Sequence, residues 1–227
     1  MNDSASPGPL LATLLSLGAF FLGAIPFGFV AGRLRGIDLR EEGSKNIGAT
    51  NTLRVLGPVA GVIVLLLDVA KGLLPVLLAR QALLLPSWWV VGIGLLAVLG
   101  HIYSPFVRFR GGKGVATSLG VLFGLSPMIA GATLLLFAIV VGVTRYVSLG
   151  SILGAILQAA LFWIVPPAAT FAENLPYRLF SLVVALFVIV RHRENIKRLL
   201  KGTENRFGVK KVETAPQSVS DSEAVKK

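Results

Sequence analysis

Long apolar stretches dominate this sequence, and several of them approach the length that crosses a membrane. A helix needs ~20 predominantly apolar residues to span the ~30 Å hydrocarbon core of a bilayer. The chain has 227 residues, of which 54% are hydrophobic and 15% are charged, whereas soluble domains carry about 25% charged residues. These features predict an all-α, polytopic integral membrane protein. Its expected spans are Leu10–Gly32, Val55–Ala79, Pro86–Val107, Gly114–Leu125, Pro127–Val143, Leu149–Pro166 and Tyr177–Val190.

The fourth stretch, Gly114–Leu125, is short, and as a helix it reaches only ~18 Å. It could instead continue into the fifth span across Ser126-Pro127, which would leave six spans and place the basic loop 33–54 and the basic tail 191–227 on opposite sides. With seven spans and the N-terminus outside, both segments and the C-terminus are cytoplasmic. In that arrangement 19 of the 22 Lys and Arg residues are cytoplasmic, the exceptions being Lys71, Arg80 and Arg178. The positive-inside rule therefore favours seven transmembrane helices.

The net charge of +11 comes from Lys and Arg in short loops and in the tail, a pattern typical of cytoplasmic membrane-protein segments rather than of a nucleic-acid-binding surface. The same charges favour contact with anionic membrane lipids. The chain has no cysteine, which excludes disulfides, thiolate nucleophiles and Cys-ligated metals. Two histidines and few intramembrane carboxylates do not make a metal cluster. No metal or other cofactor is expected.

The two ends of the chain carry different signals. Met1 to Pro9 lacks the basic region of a signal peptide, and the apolar run after it is too long for one, so we interpret that run as a retained first span. Residues 207–227 are polar and poor in aromatic residues. We expect them to form a disordered cytoplasmic tail and residues 1–206 to form a single transmembrane domain.

A first polar segment, residues 42–54, precedes the second span. It combines two glycines with hydroxyl, amide and cationic side chains, which together make a good anion site near a helix start. The alternative is a polar capping region for that span. The candidate binding residues are Ser44, Asn46, Gly48, Thr50, Asn51 and Arg54.

A second polar segment, residues 100–117, contains Gly111-Gly112-Lys113-Gly114. This run suggests a phosphate cradle but is not a Walker A loop, which needs a Gly five residues before the Gly-Lys pair and a Ser or Thr after the Lys. Val107 and Gly114 occupy those positions, so nucleotide hydrolysis is not supported. The alternative is a positively charged turn at the membrane surface.

The third polar segment is divided between the start of the sixth span and the end of the seventh. Ser148 and Ser151 lie at the former, and residues 191–204 follow the latter. His192 and Asn195 are three residues apart and share one helix face. The alternative is an amphipathic basic helix that only lies on the membrane surface.

Three ionisable residues fall within the spans. Asp68 and Lys71 lie one helical turn apart, and such groups usually face a partner or a cavity because exposing them to lipid is costly. We expect a structural ion pair between them. For His101, near the end of its span, we expect a hydrogen-bonded packing role rather than catalysis.

Taken together, the polar segments resemble the three motifs of the bacterial acyl-phosphate:glycerol-3-phosphate acyltransferases. The run Gly43 to Asn51, with Arg54 following, is similar to the first motif. Gly100-His101 through Thr117 is similar to the second, and His192 to Ile196 followed by Gly202-Thr203-Glu204 resembles the third. One departure is Lys45, where many members have Gly. The resemblance covers roughly residues 10–206 in the family's order.

The resemblance implies a seven-helix enzyme of the bacterial inner (plasma) membrane whose active site faces the cytoplasm. It implies transfer of a fatty acyl group from acyl phosphate to the sn-1 hydroxyl of glycerol 3-phosphate. The products are lysophosphatidic acid and inorganic phosphate, and the reaction is the first committed step of bacterial phospholipid synthesis. Acyl-CoA and acyl-ACP are not donors in this family. A soluble acyl-ACP:phosphate acyltransferase, which makes the donor, is the expected partner.

The resemblance also assigns roles to residues. Catalytic roles fall to Ser44, Arg54, Lys113, His192 and Asn195, and substrate-binding roles to Asn46, Gly48, Thr50, Asn51, Gly111, Gly112, Gly114, Ser151 and Glu204. The hydroxyl proton goes either to a substrate phosphate oxygen or to His192 as general base. Two other classes of protein remain open at this point. A transporter for a phosphorylated solute would fit broken helices, and a CDP-alcohol phosphotransferase would need an aspartate-rich metal motif that the chain lacks.

Overall fold

A computed structural model describes residues 8–165 and 170–208 of the chain, and these residues are helical with no strand among them. A π-helical turn, Leu78–Ala82, extends α4, and a 3₁₀ turn, Pro105–Val107, follows α5. The ten α-helices are α1 (Pro9–Ala24), α2 (Phe27–Arg33), α3 (Ala49–Leu56), α4 (Pro58–Leu77), α5 (Ser87–Ile102), α6 (Val115–Leu125), α7 (Pro127–Thr144), α8 (Val147–Ile164), α9 (Phe171–Arg191) and α10 (Arg193–Leu200).

Six helical segments among the described residues are long and apolar enough to cross a membrane. They are Pro9–Arg33, Pro58–Ala82, Ser87–Val107, Pro127–Thr144, Val147–Ile164 and Phe171–Arg191. The prediction of an all-helical polytopic chain is therefore confirmed. The expected fourth span is the shorter apolar helix α6, whose 11 residues reach ~16 Å. The seventh crossing and the orientation of the termini stay predictions.

Helices α6 and α7 do not join into one long helix. Ser126 between them has an extended backbone, with φ −152° and ψ 96°, and Pro127 begins the next helix. The side chain of Ser126 accepts a hydrogen bond from the backbone N–H of Ile129, which is the usual role of a serine before a helix. The chain therefore turns at Ser126.

The first predicted span, Leu10–Gly32, is broken at Ile25 and Pro26, because Pro26 has no N–H to continue the helix. Two distant side chains satisfy carbonyls that the break leaves open. Lys71 Nζ donates to the Ile25 carbonyl at 2.9 Å, and Ser104 Oγ donates to the Ala24 carbonyl at 2.6 Å. The break is thus fixed by hydrogen bonds from elsewhere in the bundle.

Other span boundaries also differ from the sequence-based ones. The second span begins at Pro58 rather than Val55, because Gly57, with φ +92°, ends α3. The last span begins at Phe171 rather than Tyr177, since Thr170 and Glu173 form a capping box that starts a helix in polar sequence. The sixth predicted span ends at Pro166, which lies outside the described residues, as does most of the predicted tail.

The short helix α6 packs closely against α4. Gly120 of α6 lies against the α4 backbone at Val69 and Leu73, and Gly72 of α4 lies against the carbonyl of Thr117. Small residues at such contacts let helices approach within a membrane. The core that surrounds this contact is apolar and buried, and it includes Val76, Ile93, Val121, Leu125, Phe162 and Phe180.

Candidate active site

All three polar segments contribute to the wall of a single cavity of about 390 Å³. Its polar end is formed by α3 with the loop before it, the loop before α6, the start of α8, and the α9–α10 junction with the chain that follows. Among the predicted site residues, those on the wall are Ser44, Asn46, Gly48, Thr50, Asn51, Arg54, Lys113, Gly114, Ser151, His192, Asn195 and Glu204. The cavity therefore brings together residues up to 160 positions apart in the sequence.

Asn51 organises the first segment. Its side-chain oxygen accepts a hydrogen bond from the Ser44 backbone N–H at 2.8 Å, and its amide nitrogen donates to the carbonyls of Leu39 and Glu42 at 3.2 and 3.0 Å. Asn46 acts in the same way on a smaller scale, since its side-chain oxygen accepts from the Gly48 N–H at 2.9 Å. These two amides shape the loop that presents Ser44 to the cavity.

Arg54 lies one turn after Asn51 on α3. Its Nη1 is 3.3 Å from the Asn51 side-chain oxygen, and the residue lines the cavity. Asn51 has no formal charge, and the described salt bridges do not include Arg54. A guanidinium in this position, with several donors still available, suits a phosphate or carboxylate ligand.

Gly111 and Gly112 lie beside the cavity rather than on its wall. Their N–H groups donate to the carbonyls of Ile102 and His101 at 3.0 and 3.1 Å, so the loop folds back onto the end of α5. Their carbonyls both accept hydrogen bonds from Arg191 Nη2 at 3.1 Å. These glycines therefore hold the backbone that presents Lys113, and the substrate-binding role expected for them from the sequence stays a prediction.

Lys113 projects from this loop into the cavity. Its Nζ donates to the side-chain oxygen of Asn195 at 2.5 Å. Burial lowers the pKa of Lys113 to about 8; Glu204 opposes this shift, and the nearby arginines Arg198, Arg191 and Arg54 add to it. An anion bound beside Lys113 would favour the charged ammonium.

Glu204 connects the third segment into one network. Its Oε1 accepts hydrogen bonds from Asn195 Nδ2 at 2.6 Å and Ser148 Oγ at 2.9 Å, and its Oε2 accepts from Arg198 Nε at 2.7 Å. Burial alone would raise the pKa of Glu204, but these three hydrogen bonds outweigh it and lower the pKa. The carboxylate thus fixes Asn195, which in turn holds Lys113.

His192 is 2% exposed and lies at the junction of α9 and α10. Its Nδ1 is 2.7 Å from the Val188 carbonyl, which assigns the proton to Nδ1 and leaves Nε2 as an acceptor. Burial, with a contribution from the Lys113 charge, lowers the pKa of His192 to about 4. The ring is therefore neutral at pH 7. Nearby, Ser151 Oγ donates to the Val147 carbonyl at 2.9 Å.

The expected ion pair between Asp68 and Lys71 is present. Lys71 Nζ lies 2.7 Å from Asp68 Oδ1, and both side chains are at most 3% exposed. His101 Nδ1 is 3.6 Å from the same oxygen, so the histidine ring lies beside the ion pair. Asp68 and His101 also line the cavity, whereas Lys71 points to the break after α1.

From the polar end, the cavity continues as an apolar groove between α4, α6, α7, α8 and α9. Its apolar wall includes Val62, Leu65, Leu119, Leu122, Leu134, Phe137, Val141, Val184 and Val188. The cavity thus has cationic and hydroxyl groups at one end and an apolar groove behind them. Such a cavity suits an amphiphile with an anionic head. No group of three His, Asp or Glu residues that could hold a metal occurs in residues 8–165 and 170–208.

Sequence reasoning did not single out Arg191, Arg198 or the bond from Ser148 to Glu204. Each of these acts through a partner distant in sequence, as Arg191 does through glycines about 80 residues away. The only signal was the basic run Arg191-His192-Arg193 at the end of the last span. The run belongs to the third polar segment of the sequence analysis, which assigned a role to His192 but none to Arg191 or Arg198.

The comparisons with known proteins agree with this arrangement. A model of the glycerol-3-phosphate acyltransferase family matches residues 13–202. The glycerol-3-phosphate acyltransferase of Geobacter sulfurreducens is 49% identical over 195 residues, covering 86% of this chain and 96% of the relative. That of Aquifex aeolicus is 45% identical over 196 residues, covering 86% and 99%.

Solved structures give the same result. Two crystal structures of PlsY (YgiH), described as an integral membrane glycerol 3-phosphate acyltransferase, match with TM-scores of 0.82 and 0.79 at 42% and 41% identity. Each match covers 87% of this chain and 96% of that one; the first is a glycerol 3-phosphate form and the second a lysophosphatidic acid form. By sequence and by fold, this multi-pass integral membrane protein belongs to the glycerol-3-phosphate acyltransferase family.

Proposed function

We propose that this enzyme transfers a fatty acyl group from acyl phosphate to the sn-1 hydroxyl of glycerol 3-phosphate. The observation that supports this most directly is the single cavity that joins Arg54 and Lys113 to an apolar groove. Two anionic groups, one on each substrate, need cations and donors at the polar end, and the acyl chain needs the groove. The relatives with the glycerol 3-phosphate and lysophosphatidic acid forms hold ligands of this kind.

The reaction balances without a covalent enzyme intermediate. The glycerol oxygen attacks the acyl carbonyl carbon, the bond from that carbon to the phosphate oxygen breaks, and inorganic phosphate leaves. The hydroxyl proton ends on the departing phosphate. Ser44, Arg54, Lys113 and Asn195 hold the phosphates close together and stabilise the charge that develops during transfer, while His192 helps to hold the glycerol.

A purified preparation distinguishes the donor. With glycerol 3-phosphate as acceptor, acyl phosphate should yield lysophosphatidic acid and inorganic phosphate in equal amounts, while acyl-CoA and acyl-ACP should yield none. The exposed, non-cavity variant Lys201→Met serves as a folded, active control, and Arg54→Met should lose activity. Equal rates with acyl-CoA, from protein shown to be folded, would refute the proposed donor.

The neutral His192 favours a substrate phosphate oxygen as the proton acceptor, because a group whose pKa is about 4 is a weak general base at pH 7. His192 then positions substrate through its Nε2. We expect His192→Ala to raise KM for glycerol 3-phosphate by about tenfold or more, as loss of a buried hydrogen bond would, and to leave kcat nearly unchanged. A loss of kcat by several orders of magnitude at unchanged KM would instead make His192 the base.

The remaining parts of the proposal concern the cell. We propose that the protein lies in the inner (plasma) membrane of a bacterium. It crosses the membrane seven times, with the N-terminus outside and the active site and C-terminus in the cytoplasm. Residues 1–206 form one transmembrane acyltransferase domain. The reaction is the first committed step of phospholipid synthesis, and a soluble acyl-ACP:phosphate acyltransferase supplies the donor. The convergence of three basic segments on one cavity supports this orientation.

A further inference from the structure

The apolar groove has a closed end inside the bundle. On α4 the last wall residue away from the polar site is Asp68, and on α6, α7, α8 and α9 the last ones are Leu122, Thr133, Gln158 and Val184. One turn deeper on the latter four helices, the side chains are at most 2% exposed and pack in the core; they are Leu125, Ile129, Phe162 and Phe180. The groove therefore ends against Thr133 and Gln158.

This end wall is held in place. Gln158 is 1% exposed, and its Nε2 donates to the Ser181 carbonyl of α9 at 2.8 Å and to the Ala155 carbonyl at 3.1 Å. The methyl group of Thr133 lies close to α8 at Gly154, where an added Cβ would be 3.3 Å from it. Gln158 connects α8 to α9 by a hydrogen bond, and Thr133 packs on α8. Displacing either side chain would therefore break these contacts and cost free energy.

The depth of the groove matches a membrane lipid chain. Ser148, which bonds Glu204 in the polar network, precedes Gln158 by ten residues on α8, a helical distance of ~15 Å. One leaflet contributes half of a hydrocarbon core of ~30 Å. An acyl chain of ordinary membrane length, with its head at the polar end, therefore reaches the end wall with its terminal methyl.

We propose that Thr133 and Gln158 form a stop that limits the length of the acyl chain. This inference rests on the proposed function only in placing the acyl chain of donor and product in the groove. Each methylene that the groove accommodates is removed from water, which favours binding by about fourfold. A methylene beyond the stop gains no such contact, so affinity should rise with chain length and then cease to rise or fall.

The test uses lysophosphatidic acid of graded saturated chain length, with binding measured by competition against a labelled lysophosphatidic acid on the purified protein in detergent. In Thr133→Ala, which removes two atoms from the stop, the length of tightest binding should move up by one or two methylenes, with a gain of about fourfold for the first. The Thr133 hydroxyl has no hydrogen-bond partner in the described structure, so this variant loses none.

Thr117→Ala is the matched control. Thr117 is also buried and also has an unpartnered hydroxyl, but it faces α4 at Gly72 and is not on the cavity wall. Its chain-length profile should equal that of the wild type. A converse variant, Ala155→Leu, adds bulk one turn before Gln158 and should move the optimum to shorter chains.

The groove also opens sideways between α4 and α7, where Val62, Leu65 and Leu134 line it and are about 40–50% exposed. If excess chain leaves through this opening, Thr133→Ala and Ala155→Leu will not move the chain length at which the affinity stops rising, which overturns the stop. Failure to bind lysophosphatidic acid at any length overturns it as well. Since no donor is present, a wrong acyl-phosphate assignment would appear only in the transfer assay.

Discussion

At the scale of single residues, Lys113 is a cavity cation whose charge depends on its buried environment. Burial brings its pKa to about 8, so the free enzyme loses this charge as pH rises through 8. Bound phosphate favours the ammonium, and the loss should therefore appear as weaker binding. We expect KM for glycerol 3-phosphate to increase by up to tenfold per pH unit above pH 8, with a smaller change in kcat, in steady-state assays from pH 6.5 to 9.5.

The control is Lys113→Arg, which stays charged over that range and should show a KM that is flat with pH, whatever its absolute value. A wild-type KM that is unchanged up to pH 9.5 would contradict the assignment. The same shift has a consequence for stability. Between pH 8 and 10.5 the unfolded chain holds a proton at Lys113 that the folded protein has lost, so this residue makes the free energy of unfolding rise with pH across that window.

The residues that line the polar end of the cavity could largely be predicted from the sequence, but some of the contacts between them could not. Ser44, Arg54, Lys113, His192 and Asn195 all reach the cavity wall. Gly111 and Gly112 also position Lys113, and the hydrogen bonds from Arg191 that hold them there could not be predicted. A contact of that sequence separation leaves no local pattern.

Lys45 shows a second kind of limit. The sequence indicated only that Lys stands where many family members have Gly. In the structure Lys45 has φ +57°, a left-handed conformation, and its N–H donates to the Glu42 carbonyl at 2.9 Å. The backbone at position 45 therefore has the left-handed conformation for which Gly is suited, although the residue there is Lys. The loop's shape is set by its hydrogen bonds, including those of Asn51, rather than by this residue type.

At the scale of elements, the last span holds the loop before α6. Arg191 donates hydrogen bonds to the carbonyls of Gly111 and Gly112, and these connect the end of α9 to the backbone beside Lys113. Loss of charge-assisted bonds of this kind costs about 1.5–3 kcal/mol. We expect Arg191→Gln to lower kcat/KM for glycerol 3-phosphate by roughly tenfold to a hundredfold, mainly through KM, as measured in steady-state assays.

Arg193→Gln is the matched control for this positioning role. Arg193 lies two residues away on the chain, is 75% exposed and approaches Glu194 only at 3.7 Å, so its loss should be nearly neutral, as for most surface ion pairs. Arg191→Lys, which keeps the charge but not the forked donors, should recover part of the activity. Equal kinetics for Arg191→Gln and Arg193→Gln would exclude a positioning role for Arg191.

The pair Asp68–Lys71 connects two elements as well as two charges. Lys71 lies 2.7 Å from Asp68 and donates to the Ile25 carbonyl at the break between α1 and α2. Replacing one partner leaves an unpaired buried charge, which costs about 3–5 kcal/mol. Lys71→Met should therefore lower the free energy of unfolding by about that amount, as judged by thermal or denaturant unfolding in detergent.

The double variant Asp68→Asn/Lys71→Met should be more stable than Lys71→Met alone, because it removes both charges. It should not return to the wild-type value, since the Ile25 carbonyl still loses the hydrogen bond from Lys71 and keeps only the one from the Phe27 N–H. Lys201→Met, at an exposed position, controls for removal of a Lys. If the double variant is no more stable than Lys71→Met, the unpaired Asp68 charge is not what destabilises the single variant.

Element boundaries were predicted well where a helix ends in an apolar-to-polar change and poorly where long-range contacts decide. The end of the third span follows from local sequence, whereas the local sequence left open whether α6 and α7 join at Ser126, and the distribution of Lys and Arg favoured separate helices. The break at Ile25 was missed, because Lys71 and Ser104 supply its hydrogen bonds from other helices. The early start at Phe171 was missed because the polar residues of the capping box do not belong to the apolar pattern that marks a span.

At the scale of the whole molecule, the number of crossings determines which segments can meet. The cavity contains Arg54 from the first loop, Lys113 from the loop before α6, and Asn195 after the last span. These three residues share a side only if an even number of crossings separates the first loop from the tail. That parity favours seven spans, with α6 as a short crossing, over six.

The absence of cysteine from the chain makes this topology directly measurable. Single variants Arg35→Cys, Gln81→Cys and Lys201→Cys, all at exposed positions, can be treated in intact cells with a membrane-impermeant thiol reagent. Seven crossings with the N-terminus outside predict labelling of Gln81→Cys only, and labelling of all three once the cells are permeabilised. Six crossings would place Arg35 and Lys201 on opposite sides, so that one of them would be labelled in intact cells. In that case the three polar segments could not build a common site, and the proposed active site would be wrong together with the topology.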